Sequence, residues 1–109
     1  MKKLSIYVDL DGTLTDYEHR GGNPIISRIK RIKEFIAQGH NLVIWSSNQV
    51  DYVKEFCKTN NITGATMLGK PHLLFDDVPK IHPYLMDRVI KPSAIEHIDL
   101  DIYEQTYKR

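Results

Sequence analysis

Short apolar runs separated by polar turns organise this chain. Leu4 to Val8 lies between two lysines and Asp9 and reads as a buried strand. Residues 12 to 22 are polar and glycine-containing, which predicts a loop or a tight hairpin. The period then changes. Ile25, Ile29, Ile32 and Ile36 recur at helical spacing and predict a helix capped by Asn23. Pro24 would take its first position, where a missing N–H costs nothing, and Gly39 would end it. Arg28, Lys30, Arg31 and Lys33 fall mostly off the apolar stripe and read as a solvated face. Leu42 to Trp45 predicts a second strand. A second helix follows at about 48 to 59, with Val53, Phe56 and Cys57 inward, and Asn60-Asn61 breaks it. Ala65 to Leu68 reads as a third strand and Leu73 to Phe75 as a fourth, ending in Asp76-Asp77. Beyond Pro79 the pattern weakens to a helical turn over Ile81 to Met86, a short edge strand at Arg88 to Ile90, and a tail that packs as a helix or frays.

Strands alternating with helices imply an α/β fold with parallel pairing and right-handed crossovers. The runs are apolar without alternation, as in strands covered on both faces. A length of 109 residues suits one domain, 1–109, with a flap at 12–23 and a C-terminal tail at 92–109. The net charge of +1 selects no partner, and nothing in the charge pattern singles out nucleic acid. The single cysteine, Cys57, excludes an internal disulfide and a cysteine zinc cluster and fits a reducing cytoplasm, the compartment expected here. No run approaches the ~18 apolar residues of a membrane span. The apolar start stops at Asp9, too early for a signal peptide.

Ligands of open α/β sheets bind outside the carboxyl ends of the strands. Asp9, Ser46 and Asp76-Asp77 all fall at such ends on this reading. Asp9 is placed to attack phosphorus as a carboxylate nucleophile, and Asp11, two residues on, to act as general acid and base. Gly12 permits the turn this needs. His72, His82 and His97 show no metal-ligand spacing, and Trp45 reads as packed.

The stretch Asp9-Leu-Asp11-Gly-Thr-Leu-Thr15 resembles motif one of the haloacid dehalogenase superfamily, most of whose members are Mg²⁺-dependent phosphohydrolases. Ser46, Lys70 and Asp76-Asp77 follow in the order of the other three motifs, and the resemblance covers residues 4 to about 79. It implies a three-layer α/β/α sandwich around a central parallel sheet, a Rossmannoid arrangement, with Mg²⁺ as cofactor. By the same resemblance Asp9 and Asp76 would be side-chain metal ligands and Asp11 would add its main-chain carbonyl. Asp77 would orient a metal-bound water or hold the loop, and Thr13 would help orient Asp11. Lys70, in Gly-Lys-Pro, would neutralise the transferring phosphoryl group. The motif-two hydroxyl stays open between two registers. Trp-Ser46 matches the Trp-Thr form of small phage and bacterial relatives, whereas Ser47-Asn48-Gln49 looks like a Thr-Asn-Gln variant. Only seven residues lie between Thr15 and Asn23, and one glycine separates Leu68 from Lys70, so neither gap holds a cap domain. A capless site suits a phosphorylated macromolecule, or a small substrate covered by a second subunit. His19 and Arg20 on the flap are candidate substrate contacts. Two other classes compete with a phosphomonoester hydrolase. One is a non-catalytic module that keeps the phosphate and metal site. The other is a receiver domain, whose phosphoacceptor would follow a later strand than the first.

Overall fold

The computed structural model describes residues 3–70, 73, 75, 77 and 90–106. The elements are β1 (Ser5–Asp9), α1 (Ile26–Ala37), β2 (Asn41–Trp45), α2 (Val50–Thr59), β3 (Thr66–Leu68), a 3₁₀ turn at Pro92–Ala94, and α3 (Leu100–Thr106). The strands are parallel in the order β1-β2-β3, with Val8 opposite Ile44 and Ile44 opposite Met67. Because paired residues share a face, Ile6, Val8, Leu42, Ile44 and Met67 form one apolar surface. It packs against Ile29, Ile32 and Phe35 of α1 and Val53 and Cys57 of α2. Two right-handed crossovers running in the same direction place both helices on that side. Tyr7, Val43 and Leu68 point to the other face, where Val43 is buried and Tyr7 and Leu68 remain 55% and 42% exposed. This is the α/β architecture with flanking helices that the sequence implies. Among the described residues, no helix is long and apolar enough to cross a membrane.

The expected start of α1 is corrected by two residues, from Pro24 to Ile26. Asn23 and Pro24 do not cap the helix, because both close a hairpin. The Asp16 N–H donates to the Asn23 carbonyl at 2.9 Å, the Asn23 N–H donates to Asp16 Oδ1 at 2.7 Å, and Thr15 bridges Pro24. The helix therefore begins at Ile26, behind Ile25, which makes no side-chain cap. α2 likewise begins at Val50 rather than Asn48.

The basic face of α1 is not simply solvated. Arg28 donates to the Thr13 carbonyl at 3.0 Å and pairs with Glu96 at 2.8 Å, and Arg31 donates to the Ile98 carbonyl at 2.9 Å. These bonds dock residues 96 to 98 onto α1. The tail packs rather than frays over the described part, with Leu100 in the core and Ile95 and Ile98 against it. The expected fourth strand is not formed at Leu73 and Phe75. Both lie outside any strand and are 78% and 94% exposed. Among the described residues β1 pairs with β2 alone. Leu74, the turn at 81–86 and residues 88 and 89 lie outside the described residues, and Ile90 is in no strand.

Candidate active site

The chain leaves β1 through a tight turn. The N–H groups of Thr13, Leu14 and Thr15 all converge on the Leu10 carbonyl, and Leu10 itself bonds Trp45 of β2. Gly12 allows this turn because its φ is +80°, a left-handed value that a side chain would strain. Leu10, Leu14 and Thr15 are buried and anchor the turn in the core. The intervening side chains Asp9, Asp11 and Thr13 are thereby left at the carboxyl end of the sheet, half-buried.

Asp9 ends β1 beside Trp45. Its Oδ2 accepts the Thr13 hydroxyl at 3.3 Å. Thr13 thus orients Asp9, which corrects the expectation that it orients Asp11. Burial pushes the Asp9 carboxyl up from its ordinary value, the Thr13 hydrogen bond opposes that, and the neighbouring Asp11 carboxylate adds to it.

Asp11 is held by three donors from the segment after β2. Its Oδ2 accepts the Ser46 hydroxyl at 2.9 Å and the Asn48 side-chain amide at 3.0 Å. Its Oδ1 accepts the Tyr52 hydroxyl at 2.7 Å. Ser46 is fully buried, and its oxygen also accepts the Asn48 N–H at 3.0 Å. The Ser46 hydroxyl is therefore turned to Asp11, while Ser47 is exposed. Burial, followed by the bond to Asp11, pushes the Tyr52 phenol up from its ordinary value. Asn48 and Tyr52 did not stand out in the sequence. Their only signal there is the spacing Ser46, Asn48, Tyr52, which carries the strand end into the first turn of α2.

Lys70 reaches the same region by its main chain, donating to the Asn48 carbonyl at 3.2 Å, with its side chain exposed. Gly69 makes that approach possible. A Cβ there would collide with Val50 N and come within 2.8 Å of Gln49 C. Within the expected flap, the bridge between Thr15 and Pro24 and the bond from Asp16 to Asn23 close a hairpin. Arg20 lies over the Tyr52 ring, 4.6 Å from its centroid, and His19 meets Tyr17 edge-on at 5.2 Å. A hollow of about 490 Å³ lies beneath the flap, lined by residues that include Gly12, Glu18 and Arg28 but not Asp9. Asp76 lies outside the described residues, and Asp77 is exposed. Among the described residues no three acidic, histidine or cysteine side chains cluster as a metal site.

A carboxylate at the end of β1, a second carboxylate two residues on and a hydroxyl from the end of β2 meet at the carboxyl end of the sheet. The family model described as haloacid dehalogenase-like hydrolase matches residues 6–70, which hold all of these side chains. The chain belongs to the haloacid dehalogenase-like hydrolases. A crystal structure of a Vibrio cholerae protein is similar in fold, with a TM-score of 0.68 over 95% of each chain at 20% identity. No curated protein matches the sequence. In this haloacid dehalogenase-like hydrolase the space between Leu14 and Ile25 is filled by the flap hairpin alone, and Lys70 follows β3 after one residue.

Proposed function

We propose that this chain is a capless, Mg²⁺-dependent phosphomonoester hydrolase that works through an aspartyl-phosphate on Asp9. The observation that carries the reading is the pair of carboxylates at the end of β1, held apart in role by their partners. Asp9 has one hydroxyl on one oxygen, while Asp11 is gripped by Ser46, Asn48 and Tyr52.

In this reading an Asp9 oxygen attacks phosphorus and the bond to the leaving oxygen breaks. Asp11, as the acid, gives its proton to that oxygen. The Asp11 carboxylate then takes a proton from the water that attacks the phosphorylated Asp9, which frees phosphate and restores both side chains. Lys70 and the Ser46–Ser47 turn would hold the non-transferring oxygens. The donor chemistry fits a hard cation. It is all oxygen, and the raised Asp9 carboxyl beside a like charge is what a bound cation would relieve. Asp9, the Asp11 main-chain carbonyl and Asp76 would hold Mg²⁺, with Asp77 behind them. When bound, the ion neutralises charge between Asp9 and the phosphoryl oxygens. The short flap supports a substrate that is macromolecular or is covered by a second subunit, and His19 and Arg20 are the flap side chains that would meet it.

One observation favours a second reading, a phosphate- and metal-binding module without turnover: the Ser46 hydroxyl is buried and already engaged. Phosphate release from a panel of sugar phosphates, nucleotides, phosphopeptides and phosphorylated oligonucleotides, with Mg²⁺ and with chelator, separates the two. The enzyme reading expects Mg²⁺-dependent release that Asp9→Asn lowers by at least about 10³-fold with the fold retained. Silence across the panel from folded protein would favour the module.

A further inference from the structure

Asp11 carries its hydrogen bonds unevenly. Oδ2 is occupied by two donors, Ser46 at 2.9 Å and the Asn48 amide at 3.0 Å. Oδ1 is met by Tyr52 alone, at 2.7 Å, the shortest of the three. The orientation of Oδ1 therefore depends on a single partner, Tyr52. Of the three partners, the Asn48 amide can only donate. The Ser46 oxygen already accepts the Asn48 N–H. The Tyr52 hydroxyl can donate to a carboxylate and accept from a carboxylic acid by rotating about its C–O bond. It alone on that oxygen can remain a partner of Asp11 in both protonation states.

Tyr52 also faces the flap. Arg20 lies over its ring at 4.6 Å, and the Gly21 N–H reaches its oxygen at 3.5 Å. One side chain on the first turns of α2 thus touches the acid–base group on one side and the flap tip on the other.

We propose that Tyr52 is a positioning residue that keeps the Asp11 carboxyl oriented while its proton comes and goes, and that links this orientation to the flap tip through Arg20. The assignment rests on the phosphomonoester-hydrolase reading. Tyr52 gives up no proton in either half-reaction. The proton passes from Asp11 to the leaving oxygen, and a second returns to Asp11 from the attacking water.

The consequence falls on leaving-group protonation. A p-nitrophenyl leaving group needs little help from an acid, whereas an unsubstituted phenyl group needs much more. Tyr52→Phe keeps the ring and the Arg20 stack and removes only the hydroxyl. We expect kcat/KM for phenyl phosphate to fall about tenfold, and that for p-nitrophenyl phosphate to stay within about twofold of wild type. In an Asp11→Asn background, Tyr52→Phe should cost nothing further, because it acts through Asp11. Equal losses on both substrates, or the same loss with and without Asp11, would overturn the assignment and leave the hydrolase reading standing. If the wild type releases phosphate from neither ester, the hydrolase reading falls and the Tyr52 assignment falls with it. Should Tyr52→Phe fail to fold, Arg20→Ala gives the second arm. It should produce the same leaving-group split in weaker form, and a uniform effect on both esters would count against the link to the flap.

Discussion

At the scale of single residues, the site turns on how a few atoms are shared. Asp9 and Asp11 are two positions apart, yet the turn at Gly12 gives them separate partners, Thr13 for one and the β2–α2 segment for the other. Gly69 is as exacting. Its hydrogen sits where a Cβ would overlap Val50 N, so β3 and the start of α2 meet backbone to backbone. Gly69→Ala should destabilise the protein by about 1–3 kcal/mol, seen as a lower midpoint in urea, because backbone cannot yield as a side chain can. An unchanged midpoint would mean that this junction relaxes freely. The two carboxylates were legible in the sequence because a strand, two aspartates and a glycine are local features. Asn48 and Tyr52 were not, because their bonds to Asp11 span 37 and 41 residues and depend on where α2 docks. The partner of Thr13 is not legible in the sequence for a related reason: only the turn's hydrogen bonds to Leu10 decide which way its hydroxyl points.

At the scale of elements, the periodic pattern placed β1, both helices and β2 within a few residues of where they lie. It misplaced their starts wherever a capping residue had another task. Asn23 reads as a helix cap and instead closes the flap with Asp16. α2 begins at Val50 rather than near residue 48, and Asn48 just before it holds Asp11. The isoleucine spacing that marks the inner face of α1 could not show that Arg28 and Arg31 would anchor a segment about 70 residues away. Arg28 ties three parts together, Thr13 at the site, α1 itself, and Glu96 in the segment after the 3₁₀ turn. It draws the Glu96 carboxyl below its ordinary value, chiefly through their hydrogen bond. Arg28→Met should lower the urea midpoint only modestly, because Glu96 is still partly open to water. It should also speed amide hydrogen exchange over residues 94 to 98 more than in α2. Uniform exchange across the chain would contradict a local anchoring role.

At the scale of the whole molecule, the end of the sheet opposite the site carries its own polar joint. His40, at the entry to β2, is buried, and its Nδ1 accepts the Leu4 N–H at 3.2 Å. Its other nitrogen faces Glu104 of α3 at 3.5 Å, and Glu104 also meets Lys3 at 3.5 Å. Burial, the larger cause, and Lys3 push the His40 imidazole below its usual 6.5, against the pull of Glu104 and Asp101. The unfolded chain therefore takes up this proton first as pH falls, so stability present above pH 6.5 is lost on acidification below it. Urea midpoints at pH 8 and pH 5 should differ more for the wild type than for His40→Gln. An equal difference would remove His40 from the account. This joint joins the start of the chain to its last described helix and could not be read from a lone histidine after a glycine. The central claim concerns the other end of the sheet, where Asp9 takes up phosphate. It is tested most directly by acid-quenching the protein during turnover of a ³²P-labelled phosphomonoester with Mg²⁺ and mapping the bound label. A hydroxylamine-sensitive label is expected on the peptide that holds Asp9, absent from Asp9→Asn. Phosphate released with no label on that peptide, or a label that persists in Asp9→Asn, would contradict the claim.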